Sequence, residues 1–257
     1  MQKLLISGFA LLLGVASAAA QESDGLDSLV AAYPQTLASR DGNTIVFRDG
    51  VRMEAGTADP EKPFAALLSH ATILDQLRLA YPKGAPLMPP ALNFDPGRFR
   101  NAAFFNHMYG DCRKGEVEKH LTSVVWLPKH GGQTLRFTAV NGAADRLREA
   151  SAEIDALPPS FSRAAYPSAG TYSCRGVADA GQPSMHAYGA AVDLNLKVSN
   201  YWLWDAGKDA RTIPYRNRMP KEIVDIFERH GFIWGGRWYH YDTMHFEYRP
   251  ELLNDSH

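Results

Sequence analysis

Apolar residues recur along this chain in three different rhythms. From Leu4 to Val15 they form a run broken only by Ser7 and two glycines, with Lys3 before it and Ala18-Ala19-Ala20 after it. A positive start, a short apolar stretch and a small-residue exit predict a secretory signal peptide over residues 1–20. The run is shorter than the ~20 residues of a membrane-spanning helix. No cysteine follows Ala20 closely, and no later stretch is long and apolar enough to span a bilayer. The expectation is a periplasmic or secreted chain with no stable membrane insertion once the signal is cleaved.

The second rhythm is alternating. Thr44 to Val51 reads as a strand running into the Asp49-Gly50 turn. Leu121–Leu127 and Thr134–Val140 read as strands joined by a turn at Gly131-Gly132. Ala190 to Leu196 reads as a short buried strand, and Tyr172 to Arg175 as the end of another. The third rhythm is helical. It predicts helices over residues 64–79, over 141–156 with Asn141 as cap, and over Lys221–His230 between Pro220 and Gly231. Pro86, Pro89, Pro90 and Pro96 mark an irregular connection, and Phe104, Phe105 and Tyr109 form an aromatic group assigned to core packing. These patterns divide the chain into the signal peptide at 1–20, an N-terminal region at 21–125 with no recognisable chemistry, and a chemistry-bearing domain at 126–257.

Composition changes the picture little. Lys and Arg number 27 against 28 Asp and Glu, and 45% of residues are hydrophobic. That balance gives no electrostatic case for nucleic acid. Cys112 and Cys174 are the two cysteines. In a secreted chain an even count is compatible with a bridge, but sequence does not bring their Cα atoms together.

The chemistry concentrates in two blocks, Ser184 to Asp193 and Asp242 to Glu247. His186, Asp193 and His245 supply two imidazoles and one carboxylate, a donor set suited to a catalytic zinc with one position open. His186 and Asp193 lie seven positions apart. That spacing is ~10 Å along a helix and roughly 23 Å along a strand, whereas ligands sit ~2 Å from zinc. The chain therefore has to bend between them, and Gly189 is the residue that permits it. This differs from the helical HExxH arrangement. A hydrolytic zinc site also needs a carboxylate to move the proton of the attacking water. Asp242 is the preferred candidate. Glu247 competes for that role, or orients a ligand histidine from behind. His240 is a candidate substrate contact. His230 suits a helix C-terminus. Trp234 and Trp238 suit either core or groove, and Gly235-Gly236 suit a close backbone approach to metal or substrate. Tyr201 to Trp204 is aromatic and the polar stretch 205–211 reads as a loop.

Ser184-x-His186-x-x-Gly189-x-Ala191-x-Asp193, followed by His230-Gly231-Phe232-x-Trp234-Gly235-Gly236-x-Trp238 and Asp242-x-Met244-His245-Phe246-Glu247, resembles the M15 family of zinc peptidases. That family comprises D-alanyl-D-alanine carboxypeptidases, dipeptidases and L-alanyl-D-glutamate endopeptidases. The resemblance spans roughly residues 170 to 250. It implies an α+β fold, a small antiparallel sheet flanked by helices and carrying a single zinc site, with residues 21–125 as an N-terminal extension. It also implies zinc (Zn2+) held by His186, Asp193 and His245, Asp242 as catalytic acid and base, and Arg175 as the arginine that polarises the substrate. The function it implies is a secreted zinc metallopeptidase, a peptide hydrolase acting on peptidoglycan stem peptides of the cell wall. One alternative is a zinc peptidase acting on another peptide. The other is a non-catalytic, zinc-stabilised module that binds wall or a protein partner. Endopeptidase action is slightly favoured over removal of a terminal D-alanine. Arg175 is the one arginine the resemblance places near zinc, and it is committed to polarisation. Arg211, Arg216, Arg218 and Arg237 are not placed by sequence.

Overall fold

The computed structural model describes residues 23–57, 59–176, 182–206 and 212–253. The expected signal peptide lies outside the described residues. The chain opens with helix α1 (23–32). A three-stranded antiparallel sheet follows, in the order β1 (Leu37–Asp41), β2 (Thr44–Phe47) and β3 (Arg52–Glu54). Next come α2 (Phe64–Ser69), α3 (Ile73–Gln76) and α4 (Ala102–Tyr109). A hairpin of β4 (Leu121–Trp126) and β5 (Gln133–Thr138) leads to α5 (Ala143–Asp155) and α6 (Pro159–Ala165). The remaining elements are β6 (Ala191–Asp193), α7 (Trp202–Ala206), α8 (Lys221–Arg229), β7 (Phe232–Trp234) and β8 (His245–Tyr248). The last sheet is antiparallel, with β8 between β6 and β7. The architecture is therefore α+β, built on three small antiparallel sheets where the sequence predicts one.

Buried side chains make one continuous core. It takes Leu26 and Leu29 from α1 and Tyr33 just after it, Phe104, Phe105 and Tyr109 from α4, Trp126 and Phe137 from the hairpin, and Phe227, Phe232 and Phe246 from the C-terminal elements. Residues before and after position 125 thus bury their apolar faces against each other, which is what brings part of the N-terminal region to the site described below. Helix α5 shows why its sequence folds as it does. Ala143, Leu147, Ala150 and Ile154 recur at helical spacing, and all four are buried.

Four local expectations are corrected. Residues 64–79 form two helices instead of one. Thr72 accepts a hydrogen bond from the backbone N–H of Asp75, and the Asp75 carboxylate accepts from the N–H of Thr72. This reciprocal capping box starts a new helix inside the apolar repeat. Asn141 does not cap α5. It adopts a left-handed backbone, φ 53°, and its side chain donates to Thr36 Oγ1 at 3.1 Å. Residues 172–175 form no strand. They run without regular structure beside His186, with the N–H of Ser173 donating to the carbonyl of His186 at 3.1 Å and that of Arg175 turning back to the carbonyl of Ser173 at 2.8 Å. Residues 205 and 206 belong to α7, while 207–211 lie outside the described residues. Among the described residues no helix is long and apolar enough to cross a membrane.

Cys112 and Cys174 form a disulfide with Cα atoms 5.7 Å apart. It ties the turn after α4 to the residue preceding Arg175. Their separation of 62 residues gives a loop whose closure contributes about 4 kcal/mol in the chain-entropy view. Titration of the denatured, unreduced protein is expected to find no thiol, and reduction should lower the melting temperature. Two free thiols before reduction would remove the bridge from the fold.

Candidate metal centre

Register brings the separated ligands together. In the antiparallel pair of β6 and β8, Asp193 lies directly opposite His245, so their side chains emerge side by side. His186 arrives from a 3-10 turn, Met185–Tyr188, in which the free N–H of His186 donates to the Ser184 hydroxyl at 3.3 Å. Gly189 ends that turn at φ 64°, and a Cβ there would meet Leu121 Cδ2 at 2.4 Å. Only glycine satisfies both the left-handed backbone and that close approach. The bend required by the seven-residue spacing is therefore this turn and its glycine.

Three donor atoms converge. His186 Nε2 and Asp193 Oδ1 are 3.1 Å apart, His245 Nδ1 and Asp193 Oδ1 3.1 Å, and His186 Nε2 and His245 Nδ1 3.2 Å. A tetrahedral ion with ligands at ~2 Å needs edges of roughly 3.3 Å. The opposite ring nitrogens are occupied as donors. His186 Nδ1 gives its proton to the carbonyl of Thr171, and His245 Nε2 to Glu247 Oε2 at 2.9 Å. His186 Nε2 and His245 Nδ1 therefore both face Asp193 Oδ1, and two imidazole nitrogens and a carboxylate oxygen this close call for a cation among them. A proton can serve as that cation: burial works against ionising the His245 ring, but hydrogen bonds to Asp193 and Glu247 lift it to about 10, so a bound metal would displace this proton. His186 and Asp193, with His245, are the group among the described residues that could hold a metal ion. The donor set, the spacing and the tautomers fit zinc.

Glu247 is a supporting group. Burial opposes its charge, yet Arg100, then His245 and Arg249, hold it at about 2. Its Oε2 also accepts from Arg100 Nη2 at 2.6 Å, and its Oε1 from Arg249 Nη1 at 3.2 Å. Arg249 continues to Glu251 at 2.5 Å, and Glu251 accepts from Tyr33, the residue after α1, at 2.5 Å. A buried chain of charges therefore runs from the N-terminal helix to the ring of His245. Asp242 differs. Burial, then the neighbouring Asp193 carboxylate, push it up to about 7. Its Oδ1 is buried and has no hydrogen-bond partner among the described residues. It is the carboxylate with an affinity for a proton near neutral pH.

One small pocket exposes these groups. Its lining includes His186, Asp242 and His245, together with Ser184, Arg175, Arg98, Arg100, Tyr201, Trp202, Trp238 and His240. Arg175 is exposed and acts on Asp242 electrostatically. His240 stands on the pocket wall, its Nδ1 paired with Asp95 Oδ2 at 2.7 Å. Trp238 joins the wall, its indole N–H donating to the carbonyl of Pro96 at 2.6 Å, whereas Trp234 is wholly buried. His230 sits away from the site, against Glu149 and Glu153. The two glycines serve packing rather than substrate. A Cβ on Gly235 would meet the Asp242 carbonyl at 2.6 Å, and one on Gly236 would enter the Trp234 ring at 2.1 Å.

The sequence reading missed Asp95, Arg98 and Arg100. Asp95 is fully buried and pairs with Arg98 at 2.8 Å. Their only trace in the sequence is Arg98-Phe99-Arg100, an alternation that sets two arginines on one side, and nothing in it points to residues 147 positions away. Of the arginines held in reserve, Arg216, Arg218 and Arg237 are not among the residues that line the pocket. Arg216 pairs with Asp205, Arg218 meets Ser199, and Arg237 is buried against Glu228, while Arg211 lies outside the described residues.

Against known proteins, residues 178–248 match a family model described as D-alanyl-D-alanine carboxypeptidase, of the M15 peptidases. No curated protein and no solved structure matches the chain. The matched segment contains His186, Asp193, Asp242 and His245. It leaves out Arg175 and the whole N-terminal region.

Proposed function

We propose, from the M15 peptidase segment at residues 178–248, that the protein is a secreted or periplasmic zinc metallopeptidase hydrolysing peptide bonds in peptidoglycan stem peptides. The observation that carries this reading is the convergence of three possible ligand atoms near the buried Asp242 carboxylate, whose Oδ1 has no hydrogen-bond partner among the described residues. A purely structural metal needs no such carboxylate, which weighs against a non-catalytic module.

His186, Asp193 and His245 would hold the zinc. When bound, zinc supplies Lewis acidity, making a water more acidic and drawing electron density from the scissile carbonyl. Asp242 accepts the proton of the attacking water and returns it to the departing amine as the C–N bond breaks. Arg175 donates to the carbonyl oxygen as negative charge gathers there. Its neighbour Cys174 is anchored by the disulfide, which limits where the guanidinium can go. Glu247 keeps the His245 ring turned so that Nδ1 faces inward.

Purified peptidoglycan is the test substrate. Digestion by the zinc-loaded protein, followed by mass analysis, is expected to release stem-peptide fragments. A chelator should abolish the release and added zinc restore it. Cleavage of unrelated peptides with intact peptidoglycan would keep the peptidase and overturn the substrate. No hydrolysis of either would overturn the peptidase.

A further inference from the structure

Arg98, Arg100 and Arg175 line the same pocket as His186, Asp242 and His245. The first two come from the irregular connection before α4, outside the segment that matches the peptidase family. Arg100 is 7% exposed. Among the described residues its hydrogen-bond partner is Glu247, reached through Nη2, and its Nε is buried without one. A guanidinium carries five N–H donors and no acceptor. One contact to Glu247 leaves donors unused on a buried charge, and a buried polar group without a partner calls for an explanation. Arg100 lines the pocket, so a ligand there can meet the guanidinium donors that face it and that Glu247 leaves unused.

Position favours the same view. Glu247 Oε2 accepts from both Arg100 and His245, so Arg100 stands one carboxylate oxygen away from a proposed metal ligand. Arg100 shares one small pocket with His186, Asp242 and His245, so a peptide with its scissile carbonyl there has its neighbouring residues in the same pocket as Arg100. The wall is fixed on both sides of Phe99, with Arg98 held by Asp95 and Arg100 by Glu247. Fixed guanidinium groups of this kind recognise carboxylates through paired N–H donors.

We propose that Arg100 binds a free carboxylate on the substrate residue that follows the scissile bond, with Arg98 lining the same wall. This rests on the peptidase reading and adds to it a residue that selects substrate. Two bonds of a stem peptide share the required chemistry. A terminal D-alanine carries its α-carboxylate on the leaving residue. A D-glutamate joined through its γ-carboxyl also keeps its α-carboxylate free beside the L-alanyl bond. Arg175 remains available for the carbonyl oxygen in both cases.

The test uses the zinc-loaded full chain and two substrate pairs. One pair is a stem pentapeptide ending in D-alanyl-D-alanine and its C-terminal amide. The other is L-alanyl-γ-D-glutamyl-diaminopimelate and the form with the glutamyl α-carboxylate amidated. In the pair that is the true substrate, the acid should exceed the amide in kcat/KM by on the order of 10- to 100-fold, mostly through KM, as loss of a charged hydrogen bond predicts. R100Q should erase that preference, and R100K should recover part of it, since lysine keeps the charge but not the fork. Bound zinc is measured in each variant, and the comparison is made in whichever of the two retains it. Equal rates for acid and amide in the parent, or an unchanged preference in the zinc-loaded variant, would overturn the proposal. If neither pair is cleaved, the assignment of the scissile bond fails on its own. Calorimetry with D-alanyl-D-alanine, L-alanyl-γ-D-glutamate and their amides then decides the carboxylate site. Binding of an acid alone, lost in R100Q, supports it, and equal or absent binding overturns it.

Discussion

Asp242→Asn will keep its zinc and its fold and lose hydrolysis, with kcat lower by about 10²- to 10⁴-fold, the usual weight of a positioned general base. The amide matches the carboxylate in shape but cannot take a proton from water. The fold should tolerate it well. Asp242 sits at about 7 because burial and the Asp193 carboxylate oppose its charge. A carboxyl raised in this way favours the folded state fully only at pH below its ordinary value, and that contribution is lost as pH rises towards 7. Asparagine carries no such penalty, so at neutral pH the chelator-treated variant should melt no lower than the parent. Steady-state kinetics on the cleaved stem peptide, with zinc content and melting temperature measured on the same preparation, checks all three statements. Activity within about tenfold of the parent corresponds to only ~1.4 kcal/mol of barrier and would move the base to another group. Glu247 is poorly suited to be that group, because Arg100, His245 and Arg249 hold it at about 2.

His186→Ala and His245→Ala are each expected to empty the site, from about one zinc per chain in the parent to little in either variant. A three-ligand site that loses one imidazole keeps two donors, and the remaining carboxylate and ring no longer enclose a tetrahedral ion. The effect should also appear as stability. Zinc that binds only the folded chain raises its stability by about 4 kcal/mol at a thousand times its dissociation constant. Added zinc should therefore shift the melting temperature of the parent and leave the variants where they were. Metal analysis after dialysis reads occupancy directly, and full occupancy in both variants would overturn the ligand assignment.

The grouping of His186, Asp193 and His245, with Asp242 lining the same pocket as the two histidines, was legible because a donor set able to hold a metal restricts residue type and local spacing more tightly than packing does. Seven residues between two ligands exclude both regular helix and regular strand, and Gly189 was the visible means of the bend. Glu247 was legible as a partner of His245, since residues two apart on a strand share a face. Helix α8 and the β4–β5 hairpin were legible from periodicity and turn residues alone.

Other features depended on distances that no local pattern encodes. The apolar repeat over 64–79 fits one helix, but the Thr72–Asp75 capping box divides it, and a side chain bonding its own backbone outweighs a continued repeat. The Cys112–Cys174 bridge depends on the turn after α4 lying against the segment at 172–176. Asp95, Arg98 and Arg100 became part of the pocket only because the N-terminal region buries its apolar faces in the same core as the C-terminal sheet. The sequence by itself determined which atoms are able to hold a metal and move a proton, because that chemistry is fixed by residue type and short spacing. Only the tertiary structure decided which distant charges surround them, because hydrophobic burial is non-directional and the partner of Arg100 is set by how the whole core closes.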